Sequence, residues 1–376
     1  MMTARIGLLT YGLDRPPTGI GRYTIGLLGA LADLLPAPPV LLTPAEPRYL
    51  PNADRYPQRR LSLSRRLPAL LVLGGLQLRA GARDLDLLHD PSGNAPFLFA
   101  PPGCRLVVTI HDVFALAFPA TSTRIEKVIA RFWLPLVLPR VEAIITVSQH
   151  SRRDIQRYLG VSQEKIALAP PAVERHFRPL PAEQLTARLK RYGLAPGAYL
   201  LTVAGAQDPR RNLPRLLEAY ALLKREGETR PLVVIGKPRR SAWEQHERFS
   251  LTKADEGVKY LGYVPEEDLP ALYNGAVVFV FPSLYEGFGL PPLEAMACGA
   301  PVACSNAASL PEVVGEAALL FDPRDVNAMA TAIQRLLQEE SLRAELRERG
   351  LERAAQFTWE QTARQTLEVY RRVCEG

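Results

Sequence analysis

Cysteine and histidine are both scarce in this chain, at four and five of 376 residues. Cys104, Cys298, Cys304 and Cys374 are scattered without a Cys-x-x-Cys pair, and the histidines lack metal-ligand spacing. A disulfide framework and a structural metal are therefore not expected, and a reducing compartment is. Arg5 and Asp14 interrupt the opening residues, so neither a secretory leader nor a membrane span is expected there. No internal repeat and no low-complexity tract occurs. The basic excess carries neither aromatic interleaving nor a recognition-helix motif, which speaks against a nucleic-acid partner.

What is present is an ordinary globular composition, 47% hydrophobic and 23% charged, in a chain too long for one core. Two domains are the expectation. The net charge of +7 is concentrated in one half: residues 1–178 hold 22 Lys plus Arg against 13 Asp plus Glu, and the remainder is slightly acidic. Such a half fits a solvated Arg-rich surface or one that attracts phosphate-rich acceptors or anionic lipid. Arg59, Arg60, Arg65 and Arg66 precede the apolar stretch Leu67 to Leu78, which is too short to span a bilayer. It fits either a core helix or a basic amphipathic segment on a membrane face.

Short apolar runs alternate with Gly or polar loops and helical periodicity, the pattern of a parallel α/β architecture. Strands are expected near Ile6 to Thr10, Val40 to Thr43, Leu85 to His89, Leu106 to Ile110 and Ile144 to Val147. After a proline-rich break near residues 170–195 they resume at Tyr199 to Val203, Leu232 to Ile235, Val258 to Leu261, Val277 to Phe281 and Pro301 to Cys304. The domains are therefore expected at 1–178 and 190–357. Two doubly wound, Rossmann-like halves facing one another leave a cleft beyond the carboxyl ends of their strands.

The most informative stretch follows the strand ending at Phe281. Glu286-Gly287-Phe288-Gly289 leads into a helical pattern from Leu290 to Cys298, whose Pro291 and Pro292 suit a first turn. Glycines ahead of a helix leave backbone N–H groups free for a phosphate, helped by the helix dipole. Glu286 and Glu294, eight positions apart, either reach a sugar hydroxyl and a ribose diol or stand as ordinary solvent-facing glutamates. Glu-Gly-Phe-Gly-Leu-Pro-Pro-Leu-Glu-Ala-Met-Ala resembles the Glu-x7-Glu signature of the retaining, GT-B-fold glycosyltransferases of family GT4, and the resemblance reaches across most of the chain.

That resemblance implies roles elsewhere. Gly205-Ala206-Gln207-Asp208-Pro209-Arg210-Arg211-Asn212 is similar to the family segment that supplies cations to the donor diphosphate, a task that falls here to Arg210 and Arg211. A departing diphosphate gathers charge, so such cations act mainly on the transition state. Arg211 stands where the family usually has Lys, which keeps the charge but changes the approach. Thr18-Gly19-Ile20-Gly21-Arg22, ahead of a helix from Tyr23 to Leu34, resembles the glycine-rich loop that approaches donor and acceptor, although Gly-x-Gly also fits a plain turn. His111-Asp112 resembles the pair beside the transferred sugar, with Asp112 either orienting His111 or capping the next turn. Asn306 to Gly315 resembles the loop closing over the nucleotide, its N–H groups near Ser309 and Leu310 serving the distal phosphate. Val264, in Gly262-Tyr263-Val264, resembles the edge of the nucleobase pocket. Residues 358–376 are implied to form a helix, Glu360 to Cys374, that crosses back onto the N-terminal domain; the amphipathic spacing there marks Trp359, Leu367 and Tyr370 as the expected buried positions.

The implied activity is transfer of a hexose, with retention, from a nucleotide sugar to a hydroxyl of a glycan or lipid-linked glycan. No metal or cofactor is expected, because arginines and helix-end amides already supply positive potential. Gly19 to Thr24 and Ser309 to Val313 resemble bacterial surface-polysaccharide mannosyltransferases, which makes GDP-mannose the first expected donor and UDP or dTDP sugars the next. A cytoplasmic location, at the inner membrane face, accords with the basic first half. A nucleotide-sugar epimerase and a non-catalytic nucleotide-sugar-binding subunit are the competing readings.

Overall fold

The computed structural model describes residues 4–61, 75–204, 208–236 and 257–375. Arg65, Arg66, most of the Leu67 to Leu78 stretch and Gly205-Ala206-Gln207 lie outside them. The chain divides into two compact units, Met1–Ala172 with Phe357–Gly376, and Val173–Gln356.

In the first unit seven strands form one sheet: β1 (Ile6–Leu9), β2 (Val40–Thr43), β3 (Gln58–Arg60), β4 (Leu87–Asp90), β5 (Arg105–Thr109), β6 (Ala143–Thr146) and β7 (Ile166–Leu168). Their order is β3-β2-β1-β4-β5-β6-β7, and every pairing is parallel. The second unit holds β8 (Leu200–Val203), β9 (Leu232–Ile235), β10 (Val258–Gly262), β11 (Val278–Phe281), β12 (Val302–Ser305) and β13 (Leu319–Phe321) in the order β10-β9-β8-β11-β12-β13, again all parallel. Both sheets are doubly wound, and the order reverses beside β1 and beside β8. The central strands are buried end to end, which is why they read as continuous apolar runs.

Strands β3, β7 and β13 are not among the expected strands: β3 is polar, Gln58-Arg59-Arg60, whereas β7, Ile-Ala-Leu, and β13, Leu-Leu-Phe, are apolar but short. Each has three residues and sits at a sheet edge, where one side needs no hydrophobic cover. In β3 the side chain of Arg59 is engaged: it donates to the Gly81 carbonyl at 2.7 Å and to Asp84 Oδ2 at 2.7 Å. Of the Leu67 to Leu78 stretch only residues 75–78 are described; they belong to a helix over 75–81 in which Leu78 is fully buried and Leu76 is exposed. The proline-rich break is not wholly linker. The helix Ala182–Lys190 lies within it, with Leu189 buried, and the second unit begins at Val173. Pro181 occupies the N-cap of that helix, so the proline there marks a helix start.

The helix Trp359–Glu375 packs on the helix Gly19–Leu34 inside the first unit. Gly26 makes the close approach possible, because a Cβ there would fall inside the Trp359 ring. Leu367 and Tyr370 are buried, whereas Trp359 remains half-buried at the start of the helix. The Tyr370 hydroxyl lies 2.6 Å from His89 Nδ1, and Thr109 Oγ1 lies 2.8 Å from His89 Nε2. Burial, reinforced by neighbouring His111, depresses the His89 imidazole to about 3. An unfolded histidine titrates near ~6.5, so the unfolded chain binds the extra proton first, and stability is lost as pH falls from about 6.5 towards 3. Thermal unfolding across that window should show a falling transition temperature, with a shallower fall for His89→Asn. Gly26→Val should cost about 1–3 kcal/mol by overpacking, read as a lower transition temperature at neutral pH.

Candidate active site

In the second unit the loops after β8 and β11 emerge side by side at the carboxyl ends of neighbouring strands, where the order reverses. The first loop turns through Pro209–Arg211, capped by Asp208, whose Oδ1 accepts the Arg210 N–H at 3.0 Å. The same carboxylate grips the Arg210 side chain, with Nε 2.9 Å from Oδ1 and Nη2 2.8 Å from Oδ2. Burial alone would raise the Asp208 carboxyl, but the Arg210 guanidinium outweighs it and holds the group below its usual value. The Arg210 carbonyl accepts from the Leu284 N–H at 2.7 Å and from Ser283 Oγ at 3.0 Å, which ties the two loops together. Asn212 is buried in a left-handed conformation, and its amide donates to the carbonyls of Pro282 and Pro323.

Arg211 leans over the Phe281 ring at 4.9 Å and brings Nη1 to 3.0 Å from Glu286 Oε1. Glu286 also accepts from Ser283 Oγ at 2.7 Å. Only 9% of Glu286 and 1% of Glu294 is exposed, so neither is a solvent-facing charge. Glu294 lies on the helix Leu290–Ala297 and accepts from the Tyr273 hydroxyl at 2.9 Å. Gly287, Phe288 and Gly289 form the connecting turn, and Gly289 has φ 118° with Leu310 Cδ2 2.7 Å from where a Cβ would stand. The N-cap at Gly289 has no side-chain cap, and Pro291 sits in the first turn ahead of buried Pro292.

The Ser309 hydroxyl and the Leu310 N–H are both engaged within the second unit. The buried Ser309 hydroxyl donates to the carbonyls of Glu286 and Phe288, at 2.9 and 2.6 Å, and so clamps the glutamate loop. The Leu310 N–H, expected to serve a phosphate, donates to the Ala307 carbonyl at 3.2 Å because it closes the turn into the helix Leu310–Val314. Val264 is buried beyond β10, the edge strand, with β9 between that strand and β8.

In the first unit Gly19 and Gly21 are not a loop: the helix starts at Gly19, one turn earlier than expected. Gly21 has its reason in packing, since a Cβ there would come within 2.9 Å of Pro17 Cβ, while Gly19 faces open space. His111 follows β5 and its Nε2 lies 2.8 Å from the Pro91 carbonyl, beyond β4. The Tyr23 ring meets it edge-on at 4.8 Å. Burial holds the His111 imidazole below its ordinary value against the opposing pull of Pro91 and Asp112. Asp112 caps the next turn, accepting the Phe114 N–H at 2.9 Å.

Residues 187–353 match the family described as glycosyl transferases group 1, and residues 17–177 match glycosyltransferase family 4. The O-antigen chain mannosyltransferase B of Escherichia coli is 36% identical, covering 98% of this chain and 99% of that protein. The chain belongs to glycosyltransferase family 4. The MMP α-(1→4)-mannosyltransferase of Mycolicibacterium hassiacum is 31% identical over 81% of this chain and 74% of that one. Among solved structures, sucrose-phosphate synthase of Thermosynechococcus elongatus superposes with a TM-score of 0.78 at 24% identity, covering 98% of this chain and 99% of that one. HepE of Anabaena, solved with UDP and glucose, gives 0.79 at 17% identity over 98% of this chain and 99% of that one. These likenesses show the GT-B fold, and this family 4 glycosyltransferase has its two parallel α/β units.

The arrangement combines two guanidinium groups with two buried, hydrogen-bonded carboxylates at the strand ends, a set suited to anionic and hydroxyl-bearing ligands. Asp208, Ser283 and Tyr273 were not singled out from the sequence of this glycosyltransferase. Asp208 carried a signal, since an Asp before Pro and Arg is a turn cap; Tyr273 carried none, lying 21 residues from Glu294 on another helix. Tyr273→Phe leaves a buried carboxylate short of a donor and should cost about 1–3 kcal/mol in urea unfolding. Gly289→Ala should destabilise more than an exposed Gly→Ala change, because it meets both the positive φ and Leu310.

Proposed function

We propose that this glycosyltransferase moves mannose from GDP-mannose, with retention, to a hydroxyl of a glycan or lipid-linked glycan, without a metal ion and at the cytoplasmic membrane face. The observation that carries the reading is the similarity along 98% of the chain to an O-antigen chain mannosyltransferase, joined by that to the MMP mannosyltransferase. Two guanidinium groups beside the glutamate loop fit a diphosphate leaving group, and the basic first half fits a phosphate-bearing acceptor.

In this reading the acceptor hydroxyl attacks the anomeric carbon from the side on which the diphosphate departs, and a diphosphate oxygen takes its proton. Arg210 and Arg211 meet the growing charge on the leaving group, exchanging part of their contact with Asp208 and Glu286 for phosphate oxygens. Glu294 anchors the ribose hydroxyls, Glu286 orients the sugar, and His111, its imidazole held below its ordinary value by burial, is assigned a hydrogen bond to a sugar hydroxyl. Gly287 to Leu290 approach the phosphates by backbone. The metal's usual work of charge neutralisation falls to the arginines and the helix end.

A thermal-shift series with GDP-mannose, UDP-glucose and dTDP-rhamnose tests the donor. GDP-mannose at a hundredfold excess over its Kd should stabilise by about 2.7 kcal/mol, and Glu294→Ala should abolish the shift; a shift with UDP-glucose alone would overturn the donor assignment. Arg211→Ala should lower kcat by about 10²–10³. Transfer should persist in EDTA, and loss restored by magnesium or manganese would refute metal independence. The anomeric configuration of the product, read by NMR, decides between retention and inversion.

A further inference from the structure

One helical stretch of the first unit turns large apolar side chains outward. Arg124–Val128, the π turn Ile129–Trp133, Leu134–Val137 and the 3₁₀ turn Leu138–Arg140 run on from one another. Ile125, Val128, Phe132 and Leu136 are 53%, 55%, 65% and 51% exposed, and their spacing of three and four residues gathers them on one side. The other side is anchored. Ala130, Leu134, Val137 and Leu138 are buried, and Trp133 Nε1 donates to the carbonyls of Asn94 and Ala95, each at 3.1 Å. Exposed apolar residues are ordinarily scattered singly, so four along one anchored face call for an occupant.

The charge of the same stretch says which occupant. Arg124, Arg131 and Arg140 are exposed and Lys127 is half-exposed. The one acid between 124 and 140 is Glu126, whose carboxylate accepts the Thr123 N–H and hydroxyl at 2.8 and 2.9 Å in a capping box. A second copy would set four cations against four, whereas an anionic surface complements them. We propose that this face docks on an anionic phospholipid bilayer, with Ile125, Val128, Phe132 and Leu136 entering the headgroup boundary and the flanking cations meeting lipid phosphates. The inference rests on the membrane-face reading above and gives it a site at residues 124–140; at β3, by contrast, Arg59 is matched with Asp84.

The test is co-sedimentation of the full chain with phosphatidylcholine vesicles and with phosphatidylglycerol-rich vesicles, at low and high salt. The unsubstituted protein should bind the anionic vesicles and weaken with salt. Phe132→Ser/Leu136→Ser and Arg124→Glu/Arg131→Glu should each reduce binding at least about tenfold while keeping the parent unfolding temperature, with Ile125→Ser as the milder single change. Absence of binding by the unsubstituted protein overturns both the membrane reading and this site. Binding that all the variants retain overturns the site alone. A dimer seen by light scattering, lost in Phe132→Ser without any vesicle binding, makes a second copy the occupant and refutes the bilayer.

Discussion

Glu286 is a carboxylate in the interior of the second unit, and a charge removed from water must be matched or it unfolds what surrounds it. The match is Arg211 and Ser283, and the geometry of that match organises both loops. Ser283 and Leu284 reach back to the Arg210 carbonyl, Ser309 clamps the glutamate loop from the far side, and Asn212 joins Pro282 to Pro323. A cation and a carboxylate held in this way keep fixed positions, which is what a site that senses developing charge requires.

The sheets explain why these loops meet. Parallel strands send every chain reversal to the same ends, and reversal of the strand order separates two outgoing connections at one place. In the second unit that place lies between β8 and β11, from which the arginine and glutamate loops depart. In the first unit it lies between β1 and β4, and Tyr23, Pro91 and His111 collect nearby on the connections that follow β1, β4 and β5. The two units thus repeat one solution with different side chains.

Glycine and tryptophan set the remaining architecture of the first unit. The Trp359 ring needs the missing side chain of Gly26, and the buried Tyr370 hydroxyl needs His89. A histidine kept neutral for this purpose makes the docking of the last helix dependent on pH, since protonation removes an acceptor from the interior.

The amino-acid sequence by itself determined the alternating α/β pattern, all the long central strands, the prolines of the first turn after Gly289 and the glutamate-glycine motif, because each is written in neighbouring residues or in a fixed spacing. Tertiary structure decided what depends on distant partners. The edge strand Gln58–Arg60 lacks an apolar code, and Gly19 starts a helix in which Gly21 and Gly26, not Gly19, serve packing. Glu294 finds Tyr273, and Leu310 spends its N–H on Ala307. The outward face at Ile125, Val128, Phe132 and Leu136 also belongs to the fold, since only packing of the opposite side reveals which apolar residues the core leaves uncovered.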